Sequence, residues 1–266
     1  MTTTAAIGDH LGLLDKERII APADYNRWLV PPAALAIHLC IGMAYGFSVF
    51  WKPLQGALLG ADGKAVPECS AAATTFGEKA AGTLQALFTT SCNWSQFDLG
   101  WMYTLFFVSL GTSAALWGGW LERVGPRRAG VVAAFCWSGG FLISALGVYF
   151  HQLWLMWLGS GIIGGCGLGL GYISPVSTLI KWFPDRRGMA TGMAIMGFGG
   201  GAMIGSPLAT MLMNHYATPT SPGVWETFIT MGIIYFVFMM GGAFGYRLPP
   251  AGWKPQGWTP PDNLNA

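Results

Sequence analysis

The stretch GGWLERVGPRR, residues 118–128, decides the fold because it lies between two long apolar runs. Residues 99–121 before it and 129–150 after it are nearly uncharged, and each run is about the 20 residues that a membrane span requires. Gly125 tolerates a positive φ and Pro126 cannot continue the incoming helix, so these two residues predict the turn. The stretch therefore predicts two spanning helices joined by a short basic hairpin at the membrane surface.

The composition of the whole chain agrees with this interpretation. Of its 266 residues, 53% are hydrophobic and only 10% are charged, whereas soluble domains carry about 25% charged residues. The net charge of +2 is too small for a basic nucleic-acid-binding face. We therefore expect the lipid bilayer as the main surroundings of the chain and no nucleic-acid partner.

Six segments have the length and apolar character of a span, which predicts an all-α integral membrane protein. They are residues 31–51, 97–121, 129–150, 153–180, 188–214 and 227–246. With the N-terminus inside, all but three of the fourteen Lys and Arg residues fall on the cytoplasmic side; the three are Lys52, Lys64 and Lys79. Because basic residues of short loops stay inside, we expect both termini to be cytoplasmic, in a plasma or inner cell membrane.

The spans divide the chain into three parts. We expect a cytoplasmic N-terminal segment at 1–30, a six-helix transmembrane domain at 31–247 with an outer loop at 52–96, and a cytoplasmic linker at 248–266. The last part is rich in Pro and Gly and weakly charged, which is typical of an extended linker. A linker of this kind predicts that more protein follows it.

The outer loop contains Cys69 and Cys92, on the side that the topology assigns to an oxidising compartment. The two residues either form a disulfide, which would contribute about 3 kcal/mol to local order, or remain two thiols. The triplet Asn93-Trp94-Ser95 in the same loop has the pattern of a glycosylation acceptor.

The fourth and fifth spans are rich in glycine, and each contains one proline. Small residues four apart, such as Gly197 and Gly201, allow helices to approach closely in lipid. Pro175 and Pro207 each remove a backbone hydrogen bond and predict kinks. These faces serve either static packing or helices that slide and bend.

The usual motifs of enzymes do not occur. We find no phosphate-binding loop, no nucleophile motif and no His/Cys cluster at metal spacing. We therefore expect the protein not to be an enzyme and to bind no cofactor and no metal.

A few polar side chains inside the spans are candidates for a substrate path. His38 is the only titratable residue well inside a span, and it is either proton-linked or substrate-facing, or a hydrogen-bonded packing histidine. Tyr45, Tyr103 and Tyr172 either line a central cavity and donate hydrogen bonds to an anion, or belong to the aromatic belt at the interface, to which Trp182 is assigned. No Lys or Arg lies inside a predicted span, so this chain offers no evident counter-charge for an anion.

The basic hairpin resembles the loop motif of the major facilitator superfamily, which runs Gly-x-x-x-Asp-Arg-x-Gly-Arg-Arg. Glu122 replaces the aspartate and Pro126 is inserted after the second glycine. The matching positions are Gly118, Arg123, Gly125, Arg127 and Arg128. Six spans with both ends inside and a linker after them also resemble the N-terminal half of that superfamily's fold, so the resemblance implies 3+3 inverted repeats.

Residues 167–202 resemble the oxalate/formate antiporter family within that superfamily. The similarity lies in Tyr172-x-x-Pro175 and in the run KWFPDRRG at 181–188. It implies alternating access between two six-helix halves, with an anionic substrate bound near the midplane between them. It also implies that the cationic side chains that neutralise the anion come from the C-terminal half.

The resemblance gives the basic hairpin a gating role, in which the loop acid and arginines contact a helix end of the partner half and stabilise the outward-open state. We assign Glu122 and Arg123 to this latch, with Arg127 and Arg128 beside it; simple anchoring of the topology is the alternative. A second cytoplasmic anchor follows the fourth span, and its members are Lys181, Asp185, Arg186 and Arg187.

The leading hypothesis is therefore the N-terminal half of a secondary transporter of small carboxylates, either an oxalate/formate exchanger or a proton-linked monocarboxylate carrier. Its partners would be the substrate, the bilayer and a C-terminal six-helix half, in the same longer protein or as a separate chain. The alternatives are a six-span homodimeric or split carrier, and a proton-coupled exporter of other small solutes. A receptor or scaffold that does not transport is a weaker alternative.

Overall fold

A computed structural model describes residues 12–60 and 62–259. Within those ranges the chain is helical, with only isolated β-bridges and no strand. Seven helical elements carry the fold: α1 Arg27–Gln55, α2 Phe76–Phe88, α3 Gln96–Val124, α4 Pro126–Tyr149, α5 Leu153–Trp182, α6 Pro184–Tyr216 and α7 Val224–Gly245. All except α2 are long and apolar enough to cross a membrane. The prediction of six spans in an all-α fold is confirmed.

Each helix boundary has a local cause. Ser95 caps α3, because its hydroxyl accepts from the Asp98 N–H while the Asp98 carboxylate accepts from the Ser95 N–H. Gly125 adopts φ +87° between α3 and α4, and Pro126 stands first in α4. Gly223, with φ +75°, precedes α7. The chain therefore passes from α3 to α4 with only Gly125 between the two helices.

Two spans are irregular inside. In α1 the regular helix Val30–Ile41 gives way to a short turn at Met43–Gly46 and a 3₁₀ turn at Phe47–Phe50. In α5 the stretch Trp157–Ile163 is π-helical, a wide form that often marks functional sites. Pro175 and Pro207 both lie inside helices that continue past them. The predicted kinks at these prolines remain a prediction.

The packing of the spans has the symmetry of two three-helix repeats. One repeat is α1, α3 and α4, and the other is α5, α6 and α7, taken in that order. Under this correspondence the α3–α5 contact is equivalent to the α6–α1 contact, and the α4–α5 contact to the α7–α1 contact. The α4–α7 and α1–α5 contacts each join two equivalent helices of the two repeats. Every one of these pairs is in contact, as expected of a 3+3 arrangement.

Because the spans alternate in direction, the bundle has two ends. We call one the basic end: it holds the start of α1, the α3–α4 and α5–α6 turns and the end of α7. The other, the loop end, holds α2 and the α4–α5 and α6–α7 turns. The residues described before α1 and after α7 therefore meet at the basic end.

Those two flanking segments pack on the bundle. Ile20 and Leu248 form a parallel bridge, with the Ala21 N–H donating to the Leu248 carbonyl at 2.8 Å. The Trp253 ring lies 4.9 Å from that of Trp182. The expected linker is therefore held against the basic end as far as Trp253, and residues 260–266 lie outside the described ranges. Trp182 is fully buried under it, so the assignment of Trp182 to the membrane belt is wrong.

Candidate functional site

A groove of about 450 Å³ opens between α1, α3, α5 and α6. Tyr45 and Tyr172 face it from α1 and α5, and Phe198 of α6 packs between them, with ring centroids 4.8 Å and 5.4 Å away. Tyr45 is 61% exposed, the most exposed tyrosine among the predicted site residues. The structure therefore brings two of the three predicted tyrosines together in one wall.

The other residues that line the groove are apolar, and none of the described lining residues carries a charge. They are Ala44, Phe106, Phe107, Leu110, Leu168, Ile195 and Gly199. Tyrosine hydroxyls are therefore the side-chain hydrogen-bond donors that the described residues present to a solute in the groove.

His38 lies behind the groove rather than in its lining. It is fully buried, its ring stacks on that of Tyr172 at 5.5 Å, and its Nε2–H donates to the Tyr172 carbonyl over 3.2 Å. A ring that contacts Tyr172 through both its face and its edge fixes the position of that residue. This geometry agrees with the packing interpretation of His38.

Tyr103 is the third predicted tyrosine, and its hydroxyl is already engaged. It donates to the Ala44 carbonyl at 2.7 Å, where the irregular part of α1 leaves backbone groups outside a regular helix. The Tyr103 ring packs edge-on against Phe107, 4.9 Å away. Tyr103 therefore supports the groove wall, and its only proton does not reach the open space.

At the basic end, Glu122 joins α3 to α5. Its carboxylate accepts from Lys181 Nζ at 2.5 Å and from Ser177 Oγ at 2.8 Å, and its carbonyl accepts from Lys16 Nζ at 2.5 Å. The predicted latch and second anchor thus meet in one cluster. The side chain of Glu122 is still 52% exposed, so one side of it faces outwards.

Arg127 has a different environment from the other hairpin arginines, because it is only 5% exposed. Its guanidinium donates to the Leu13 carbonyl and to the Phe244 carbonyl, each at 3.0 Å, and lies 3.5 Å from the Tyr246 carbonyl. The last two carbonyls belong to the C-terminal end of α7, where a cation is favoured by the helix dipole. Arg127 therefore connects the N-terminal segment, α4 and α7.

Two further ion pairs join the start of α1 to α6 and the N-terminal segment to α4. Arg27 forms a bidentate pair with Asp185 at 2.7 and 3.0 Å and also lies 4.7 Å over the Phe183 ring. Arg128 pairs with Asp15 at 2.9 Å. Neither Arg27 nor Asp15 is predicted from the sequence as part of this cluster, because no local motif links residues more than 100 positions apart.

The remaining residues of the two predicted clusters make fewer contacts. Arg123 and Arg187 are exposed, and Arg186 is exposed beside Asp185, with 3.8 Å between Nε and the carboxylate. A side chain at Gly118 would meet no atom within 4 Å. This part of the basic end is an open surface.

The loop end is tied together around a disulfide between Cys69 and Cys92, whose Cα atoms are 5.1 Å apart. Asn93 beside it is fully buried and makes three hydrogen bonds of 2.8–2.9 Å with the backbone of Leu58 and Val66. A buried amide with these partners is a structural residue, so the glycosylation-like triplet has a folding role here.

His151 closes the same region. It stacks on the fully buried Trp94 at 4.5 Å and its Nε2–H donates to the Cys92 carbonyl at 2.8 Å. Burial lowers the pKa of His151, and the hydrogen bond to the Cys92 carbonyl offsets this in part. Its backbone has φ +52°, which allows the abrupt turn from α4 into α5. Among the described residues, no group of His, Cys, Asp and Glu side chains is placed to hold a metal ion.

Comparison with known proteins finds several membrane transporters among the similar sequences. An uncharacterised MFS-type transporter of Escherichia coli (strain K12), YhjX, is 25% identical over 84% of this chain and 46% of its own length. Apicoplast pyruvate carrier 1 of Toxoplasma gondii is 33% identical over 44% of this chain and 21% of its own. The oxalate:formate antiporter of Oxalobacter formigenes is 31% identical over 33% of this chain and 19% of its own.

The chain spans less than half the length of these curated relatives. The model of the Major Facilitator Superfamily matches residues 69–262, which is more than half of the chain. With six apolar helices of spanning length, the protein is a multi-pass membrane protein. It belongs to the Major Facilitator Superfamily.

Proposed function

We propose that this chain is the N-terminal six-helix half of a secondary transporter that moves small carboxylate anions by alternating access. Family membership points to a transporter rather than an enzyme. The pyruvate carrier and the oxalate:formate antiporter among its relatives are named for small carboxylates. These names support the substrate class, and the groove supplies the place where the substrate would bind.

The observation that carries the proposal is the pair Tyr45 and Tyr172 in an otherwise apolar groove. A phenol donates a hydrogen bond to a carboxylate without the desolvation cost of a buried charge. Because His38 and Phe198 hold the Tyr172 ring, its position is set before a substrate arrives. In this proposal Tyr45, which is the more exposed of the two, makes the first contact.

The groove lacks a positive charge, so the proposal requires one from a second six-helix half. That half would cover the groove and place a Lys or Arg opposite the two tyrosines. The basic end would then be cytoplasmic, in line with the side on which basic residues accumulate. Glu122, with its exposed edge, and Arg123 would contact the second half there and hold the outward-open state.

The test is uptake of radiolabelled oxalate and pyruvate into vesicles that contain the native protein or its Tyr45→Phe and Tyr172→Phe variants. Loss of a hydrogen bond to a charged ligand costs about 1.5–3 kcal/mol, so KM for uptake should rise about tenfold or more. Tyr149→Phe is the matched control, because Tyr149 is equally exposed but packs on Trp225, away from the groove. If the groove variants behave like the control, the groove is not the binding site.

A further inference from the structure

The helix α2, Phe76–Phe88, in the outer loop divides into three faces. Successive residues are about 100° apart on a helix, so Gly82, Thr83 and Ala86 occupy one sector of about 100°. These three are its buried residues. The residues through which α2 packs on the protein are therefore all small.

The buried face fixes α2 at the level where the spans begin. Thr83 Oγ1 donates to the Asp98 carboxylate in the first turn of α3. The same helix also contacts Leu153–Met156 at the start of α5. Because α3 and α5 both begin at the loop end, contact with the first turns of both holds α2 at that end of the bundle.

The second face is apolar and exposed. Phe76, Leu84 and Phe88 occupy the next sector of about 120°, and they are 68%, 67% and 74% exposed. Three large apolar side chains on one face of a 13-residue helix are more than scattered surface residues, and such patches mark a contact with a membrane or a partner.

The third face is polar and lies beyond the apolar one. It contains Glu78 and Gln85, which are about 20° apart around the helix and both exposed. The Glu78 carboxylate accepts from the N–H groups of Thr75 and Thr74, which lowers its pKa and keeps it ionised. This face is suited to water.

The apolar face continues onto a spanning helix. The Phe76 ring packs edge-on against Phe97 at 5.7 Å, and Phe97 packs on Trp101 at 6.3 Å. Exposed large apolar residues then follow at Val108 and Leu116 on the same side of α3.

We propose that α2 is an interfacial helix, with Phe76, Leu84 and Phe88 inserted into the outer edge of the lipid bilayer and Glu78 and Gln85 in water. The three faces have the order that this position requires: protein, lipid, water. Trp101 and Trp154, exposed at the starts of α3 and α5, are the aromatic residues expected at that level of a membrane. The inference rests on the multi-pass membrane character of the chain and does not depend on the proposed substrate.

The test compares two neighbouring positions, Leu84→Cys and Gln85→Cys, each carrying a nitroxide label. The background replaces Cys40, Cys136 and Cys166 by alanine and retains the disulfide. The protein is reconstituted into vesicles of phosphatidylcholine and phosphatidylglycerol. Collision rates are measured with oxygen, which concentrates in lipid, and with a water-soluble nickel chelate.

The expected result is an oxygen-to-nickel collision ratio that is several-fold higher at Leu84→Cys than at Gln85→Cys. Equal ratios, with both labels open to the nickel chelate, would show that α2 stands in water and would overturn the proposal. A label at residue 84 that neither reagent reaches would mean that protein covers this face, which would also overturn it. Phe88→Cys serves as a second reporter, and both substituted apolar side chains are exposed, so neither change removes core packing.

Discussion

Replacing Arg127 by methionine should destabilise the protein far more than the same change at Arg123, four residues earlier in the hairpin. Arg127 is buried and donates two hydrogen bonds of 3.0 Å, to Leu13 and to Phe244. Hydrogen bonds from a charged donor contribute about 1.5–3 kcal/mol each. Methionine keeps the apolar stem but leaves both carbonyls without this donor.

We therefore expect Arg127→Met to lower the free energy of unfolding by about 3–5 kcal/mol. Arg123 is exposed, so Arg123→Met should change it by no more than about 0.5 kcal/mol. Arg127→Lys should lie between the two variants, because one ammonium does not span two acceptors as a guanidinium does.

The assay is titration of the purified protein in mixed micelles with a denaturing detergent, followed by tryptophan fluorescence. Both methionine variants remove one positive charge from the same hairpin, so their comparison cancels the effect of net charge. The reasoning is refuted if the free energies of unfolding of Arg127→Met and Arg123→Met differ by less than about 1 kcal/mol, because the hydrogen bonds of Arg127 to the N-terminal segment and to α7 would then contribute little.

Three further predictions concern other parts of the molecule. Gly201→Ala should cost about 1–3 kcal/mol of unfolding free energy, because its new Cβ would lie 2.7 Å from the Cα of Gly42 and closer still to the Leu39 carbonyl oxygen, both in α1. Gly199→Ala, with no atom within 4 Å of its new Cβ, should be neutral or stabilising. Equal effects of the two substitutions would contradict close packing of α1 and α6. The pKa of His151 is lowered in the folded protein, so folding favours the neutral ring. The resulting contribution to stability is complete above about pH 6.5, the ordinary pKa of histidine, and is lost as the pH falls from there through the lowered pKa. Unfolding measured between about pH 8 and about pH 5 should show this loss, and His151→Gln should remove it; an unchanged pH profile in the variant would contradict the assignment. Glu122→Gln weakens the exposed pair with Lys181 and should lower stability by less than about 1 kcal/mol while slowing carboxylate uptake; a large loss of stability with normal uptake would make the pair structural.

The membrane-spanning part of the fold is predictable from the sequence. Runs of about 20 apolar residues permit few structures in lipid, because every backbone polar group must be satisfied inside its own helix. The predicted boundaries at 97–121 and 129–150 therefore agree closely with α3 and α4. Gly125 and Pro126 mark the turn between them, because Gly125 permits the positive φ that the turn requires and Pro126 fixes its own φ at the helical value.

The outer loop is less predictable, although one signal in it was available. Thr75 and Glu78 form a capping box at the start of α2, and this Thr-x-x-Glu pattern is legible in the sequence. The helix is short, and its apolar residues do not reach spanning length, so a search for spans passes over it. The buried position of Asn93 has no local signal, since its partners at Leu58 and Val66 are brought to it by the fold.

In the candidate site, too, the sequence predicts which residues are polar but not where their side chains point. Composition and position select Tyr45, Tyr103 and Tyr172 as polar residues inside spans, but only the packing distinguishes them. The Tyr103 hydroxyl donates a hydrogen bond to the Ala44 carbonyl, whereas Tyr45 and Tyr172 line the groove. The direction in which a side chain points depends on how helices rotate against one another, and periodicity does not determine this in spans that are apolar nearly all round.

The most direct test of the proposed function is exchange in vesicles that contain the native protein and are preloaded with an unlabelled carboxylate. External radiolabelled oxalate, formate and pyruvate are compared with an uncharged solute of similar size and with vesicles that lack the protein. The account predicts saturable, protein-dependent entry of at least one carboxylate and none of the uncharged solute. Entry of the uncharged solute alone, or of no carboxylate above the level of protein-free vesicles, would contradict it.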